Sequence, residues 1–164
     1  MLEKQPVDIN NNRGDQKHNT PKLRRAIITL AFLSICLGVG IYLLWRPDTI
    51  RIFSWLELLG LGAPIAFVRE SCEPLYHFIP GWVIFSLPNG LWSFSYTLII
   101  THLWLGRNSI LKYFWLASIP IVGLGYETLQ YAHVIPGTFC TKDLLLCAIG
   151  ILLGTLVVYL SERM

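Results

Sequence analysis

The chain has 164 residues, enough for one soluble domain, yet 54% of it is hydrophobic and 14% charged, against roughly 25% charged in soluble domains. With six Trp and seven Tyr, that imbalance excludes an ordinary water-soluble domain and makes lipid the expected solvent. The net charge of +3 does not point to nucleic acid. Six of the thirteen Lys and Arg fall in the first 25 residues, beside an apolar run, where basic residues act as a cytoplasmic topology signal.

Residues 1–21 are polar, include an Asn run and have no apolar periodicity, so they read as a disordered cytoplasmic tail. Residues 26–45 carry no charge, and at ~1.5 Å per residue they span about 30 Å, the hydrocarbon thickness of a bilayer. Lys22, Arg24 and Arg25 precede them, and Trp45 and Arg46 follow. No small-residue cleavage site lies beyond the run, so it reads as a first membrane helix rather than a signal peptide. Residues 46–75 mix Arg46, Asp48, Arg51, Glu57, Arg69, Glu70 and Glu73 with short apolar stretches. They suit an amphipathic or re-entrant segment at the outer surface.

Pro80-Gly81 and Leu87-Pro88-Asn89-Gly90 break the next apolar stretch. A second helix is expected over about 89–105, with Asn89 as its N-cap, ending at Gly106-Arg107. A third is expected over 110–134, with Pro120 inside it and Pro136-Gly137 stopping it, and a fourth over 143–160. Gly150-x-x-x-Gly154 gives the fourth a face for close helix packing. The tail, the 106–112 loop and the C-terminus hold nine Lys and Arg, against four in the 46–88 segment and the 135–142 loop, so both termini are expected to be cytoplasmic. The fold expected is therefore all-α: a polytopic four-transmembrane-helix bundle with an outer interfacial or re-entrant segment between helices one and two.

The chemistry-bearing residues are polar ones where lipid favours Leu. Glu127 and Gln130 are three apart and share a helix face, and Glu127 lies about 25 Å along the third helix from position 110, near the outer hydrocarbon edge. Asp143 opens the fourth helix and Asn89 the second, both at that side. Asn89, Glu127, Gln130 and Asp143 thus fall at one depth, and an intramembrane carboxylate is a functional hypothesis by default. Local explanations compete: Asn89 as a cap, Asp143 as a charge at a helix N-terminus, and Glu127 with Gln130 as interhelical ties. His77 and His102 have no partner at metal-ligand spacing. No catalytic or nucleotide-binding fingerprint is present, and no metal or cofactor is expected.

Glu127-x-x-Gln130, Pro136-Gly137-Thr138-Phe139, Asp143-Leu144-Leu145 and Gly150-x-x-x-Gly154 resemble the signature of VanZ-like bacterial membrane proteins. In that family a Glu-x-x-Gln closes one helix and Asp-Leu-Leu opens the last. Leu87-Pro88-Asn89-Gly90-Leu91-Trp92 resembles a Leu-Pro-Asp-x-x-Trp segment of related small membrane proteins, with Asn for Asp. The resemblance covers about residues 87–155. It departs from the family at Thr138, often Arg there, and at Cys147, often Asn. It implies a bacterial envelope protein in the cytoplasmic membrane, of a family named for tolerance to the glycopeptide teicoplanin.

Two main functions compete at this level. One is a non-enzymatic envelope protein whose cluster Asn89, Glu127, Gln130 and Asp143 binds an envelope ligand, a lipid head group or a membrane-protein partner. The alternative is an intramembrane enzyme acting on a lipid-linked substrate, with Glu127 as acid or base and Asp143 beside it. Arg69 is the outer basic residue expected to join that catalytic site. A transporter subunit is a third reading, for which no internal repeat is present. The four cysteines read as apolar filler, with one exception. Cys72 and Cys140, both expected outside, are placed to form a disulfide over the cluster.

Overall fold

The computed structural model describes residues 20–104 and 107–163, and every regular element among them is helical. Four long helices dominate: α1 (Thr20–Trp45), α5 (Leu87–Trp104), α6 (Ile110–Tyr131) and α7 (Thr141–Arg163). Between α1 and α5 lie the short helices α2 (Arg51–Leu58), α3 (Gly62–Cys72) and α4 (Gly81–Phe85), with a 3₁₀ turn at Glu73–Phe78. Residues 1–19 of the expected tail, and Gly106 at the expected end of the second helix, lie outside the described residues. Thr20 and Pro21, assigned by sequence to the tail, instead open α1.

Two boundaries move for identifiable reasons. The second long helix starts at Leu87 rather than Asn89, because the amides of Asn89 and Gly90 already bond to Ser86 O. Pro88 costs nothing there, since a first-turn amide has no helical partner to lose. The third ends at Tyr131, not 134. His133 takes a left-handed φ of 56°, while Val134 N bonds to Leu129 O at 2.9 Å and His133 N to Gln130 O at 3.0 Å. That pair of bonds is a Schellman ending, so a histidine does the work that sequence assigned to Pro136-Gly137. Ser109 caps the other end of α6, its Oγ accepting from Leu111 N at 3.3 Å.

α5 is the central helix, packing most extensively against α7 and then α1, with α6 along a third side. The α5–α7 contact is backbone on backbone. A Cβ on Gly150 would run into Gly90 O and Phe94 N, and one on Gly154 would lie 3.0 Å from Phe94 O. The Gly150-x-x-x-Gly154 face is therefore consumed inside the chain by a parallel neighbour. α1 is tied to α5 by Ser95 Oγ, which donates to Ala31 O at 2.8 Å. At one end of the bundle Ile27, Ala31, Leu98 and Val158 form the apolar core; the opposite end holds the cavity described below.

The exterior is apolar, and small hydroxyl side chains are buried beside the apolar core. Ser34, Ser93, Ser95, Thr97, Thr101 and Ser161 are buried, whereas Phe32, Leu37, Phe114, Ile121 and Leu152 are exposed, Leu152 at 68%. Two helices are long and apolar enough to cross a membrane, over Pro21–Trp45 and Thr141–Ser161. α5 turns its hydroxyls inward, and α6 carries Lys112, Glu127 and Gln130, which lowers their hydropathy without giving them an outward polar face.

The segment between the first and second long helices folds as the α2–α4 layer, pinned to the end of α1 by arginine. Arg69 donates to Leu43 O at 2.7 Å and to Arg46 O at 2.9 Å, closing two carbonyls that a helix end leaves open. Its guanidinium lies 4.7 Å from the centroid of the Phe53 ring. The disulfide expected between Cys72 and Cys140 is absent, both thiols being free. The backbones are held by different anchors: Cys72 O accepts from Trp45 Nε1 at 3.3 Å, and Cys140 N donates to Glu127 Oε2 at 3.2 Å.

Candidate functional site

The C-terminal ends of α1 and α6 and the N-terminal ends of α5 and α7 enclose a partly open cavity of about 780 Å³. All four residues singled out by sequence, Asn89, Glu127, Gln130 and Asp143, line it. Fold topology brings them there from three helices, with the turn between α6 and α7 as a rim at Gly137 and Thr138.

Asn89 is not a cap. From the first turn of α5 its Nδ2 reaches across to Asp143 Oδ2 at 3.0 Å, a bond to a charged group of a kind that contributes about 1.5–3 kcal/mol. Asp143 stands in the first turn of α7, where the helix dipole favours a negative charge. Glu127 is 6% exposed, and its Oε2 accepts from Cys140 N, the amide just before α7. Both carboxylates are thus supported by the same helix N-terminus, which is how two acids are tolerated at one depth.

That support is incomplete. Asp143 Oδ1 is buried without a hydrogen-bond partner. Gln130 is 8% exposed, and its side-chain amide makes no hydrogen bond among the described residues. Without a hydrogen bond to another helix Gln130 is not an interhelical tie, and its amide opens to the cavity it lines. Its amide packs against Gly137, whose φ of 136° only glycine adopts readily. A side chain at Gly137 would also collide with the Gln130 amide.

The basic member of the site is Arg46, not Arg69. Arg69 is occupied by the end of α1, while Arg46 lines the cavity. Its Nη2 donates to Phe85 O at 2.8 Å, its guanidinium lies 5.1 Å from the Tyr42 ring centroid, and its Nε is buried without a partner. Sequence reading also passed over the aromatic wall, built from Tyr42, Trp92, Tyr96 and Tyr126, and over Cys147 on the α7 side. Tyr42 and Trp92 have ring centroids 5.6 Å apart, and Tyr96 Oη is 2.8 Å from Ser118 Oγ. Trp92 stands one helical turn after Asn89, the spacing that puts both on one face; Arg46 follows directly on α1. Those were the available signals.

Among the described residues no three His, Cys, Asp or Glu side chains group to hold a metal. His77 lines a second, shallower hollow with Arg69, Glu70 and Glu73. His102 stays apart from both, its Nδ1 buried without a partner. What the cavity offers is hydrogen-bond acceptors on one side, one guanidinium on the other, and aromatic faces between. The chain matches no family model, no curated protein and no solved structure.

Proposed function

We propose that this chain is a VanZ-like integral membrane protein of the bacterial cell envelope. In this reading α1, α5, α6 and α7 all cross the cytoplasmic membrane, both termini are cytoplasmic, and the cavity opens at the outer face to bind an envelope ligand or a membrane partner. Its physiological role is in tolerance to teicoplanin-type glycopeptides. The observation that carries the binding role is Gln130: a nearly buried amide with no hydrogen bond, facing a cavity shared with Glu127 and Asp143. The order of motifs along residues 87–155 supports the family reading.

Four crossings are supported by the apolar surface. A central helix flanked by three others turns much of its surface inward, so the buried hydroxyls of α5 do not argue against a bundle. At ~1.5 Å per residue, its 18 residues and the 22 of α6 rise about 27 and 33 Å, near the bilayer core. Aromatic residues collect at both ends, Trp45 and Trp82 at the cavity end and Trp104 stacked on Trp115 at the other, with ring centroids 6.3 Å apart.

The double substitution Glu127→Gln with Asp143→Asn tests the site. The expected result is unchanged membrane abundance and thermal stability in detergent, together with loss of the glycopeptide-susceptibility phenotype that the parent confers. A variant that disappears from the membrane or melts early would reduce the cluster to interhelical ties.

A further inference from the structure

The cavity contains opposite charges that do not meet. Arg46 makes no ion pair with Glu127 or Asp143 among the described residues, donating to Phe85 O and leaving Nε unpartnered. Yet all three line one cavity, the guanidinium from α1 and the carboxylates from α6 and α7. Each side also keeps an unused valence. Asp143 Oδ1 is buried without a donor, Glu127 has one described bond, to Oε2, and Gln130 has none. A molecule that satisfies both sides at once carries a positive and a negative group a short distance apart.

We propose, on the footing of the ligand-binding reading above, that the cavity takes a zwitterion made of a primary ammonium and an anionic group, as in the head group of an aminophospholipid. The ammonium lies at Asp143, Glu127 and Gln130, and the anion at Arg46. The acceptors decide the cation. A primary ammonium has three N–H donors and no acceptor, matching the three acceptor-bearing side chains that line the cavity, Asp143, Glu127 and Gln130. A quaternary ammonium has no N–H and would offer the Glu127 carboxylate and the Gln130 carbonyl no donor. A guanidinium is the right receptor for phosphate or carboxylate. The aromatic faces of Trp92 and Tyr96 form the wall between, and cations are attracted to such faces.

The lining also says how an amphiphile would be held. α1 and α6 flank α5 on different sides, and the cavity lies between their ends. On its wall Val122 and Tyr126 are each 60% exposed. A head group in the cavity can therefore leave its chains along that open, apolar part of the wall. A free zwitterion such as phosphoethanolamine offers the same head-group chemistry without chains.

The test uses the full chain purified in a neutral detergent. Its thermal midpoint is followed while phosphatidylethanolamine, phosphatidylcholine, phosphatidylglycerol or water-soluble phosphoethanolamine is titrated in, and native mass spectrometry counts retained lipid. The expected result is saturable stabilisation and retention with phosphatidylethanolamine alone among the three lipids. Asp143→Asn and Arg46→Gln should each weaken the apparent affinity at least tenfold. Stabilisation by phosphoethanolamine at comparable concentration would assign the free compound as the source; a response confined to the lipid assigns the membrane. Equal responses to ethanolamine and choline lipids, to ethanolamine and glycerol lipids, or no response to any of the four would overturn the proposal. The comparison among lipids needs only the unsubstituted chain, so it stands even where a variant fails to fold. Loss of head-group selectivity beside an intact Glu127/Asp143 phenotype would sink this ligand and leave the site; loss of both would sink the site as well.

Discussion

At Gly137 the backbone φ of 136° and the close approach of the Gln130 amide coincide. Alanine there meets two penalties: a conformation costing on the order of 1–3 kcal/mol for a non-glycine residue, and a methyl group placed where the Gln130 side chain lies. Gly137→Ala is expected to lower the thermal midpoint and to swing the Gln130 amide away from its present seat. An unchanged midpoint, with an unchanged amide signal for Gln130 in side-chain-labelled NMR, would show that the rim does not position that group. Asn89 teaches the same lesson from the other side. Its identity suits a helix cap, but the helix begins two residues earlier, and the side chain is free to reach Asp143.

At the level of elements, the α5–α7 pair is held at backbone distance, and its glycines are not alike. A Cβ at Gly150 would meet main-chain atoms of Gly90 and Phe94, which have no rotamer through which to yield, whereas one at Gly40 on α1 meets nothing within 4 Å. Gly150→Ala should therefore destabilise the bundle by roughly 1–3 kcal/mol, as overpacking does. Gly40→Ala should be neutral or stabilise by up to about 1 kcal/mol through helix propensity. Parallel melts of the two variants in one detergent decide it; equal shifts would mean that α7 does not pack against α5 through this face. The α2–α4 layer depends on a different device, Arg69 closing the carbonyl end of α1. No periodicity in residues 46–75 reveals that, because the bond joins segments 23 and 26 residues apart.

For the molecule as a whole, the four cysteines report topology without any substitution. Cys72 and Cys140 lie at the cavity end, Cys36 faces outward midway along α1, and Cys147 is buried. With the cavity end outside, a membrane-impermeant maleimide applied to intact cells should label Cys72 and Cys140. Cys36 should stay unlabelled, since in a membrane-spanning α1 lipid covers it. Labelling of Cys72 and Cys140 only in inside-out vesicles would reverse the orientation inferred from the basic residues. Failure to label either in both preparations, with reaction restored by a reductant, would return the disulfide that the structure lacks.

Composition alone determined that this chain is built for an apolar surround, because charged residues are too few to cover a soluble surface. The apolar run at 143–160 set α7 to within a few residues, and the one at 26–45 set the end of α1 at Trp45 though not its start at Thr20, since hydropathy over a full bilayer width is a local property of the chain. The helical nature of 89–105 and 110–134 was also legible. The start of α6 at Ile110 was legible too, but the start of α5 and the end of α6 were not, because Ser86 O takes the first amides of α5 and His133 ends α6 through its backbone conformation. Asn89, Glu127, Gln130 and Asp143 were recognisable as misplaced polar groups. Only the tertiary structure decided that Asn89 pairs with Asp143, that Arg46 rather than Arg69 faces them, and that four aromatic rings wall the space between. Those facts depend on which helix neighbours which, and that is fixed by the shape of α5's glycine and hydroxyl faces, where packing acts between residues far apart in the chain.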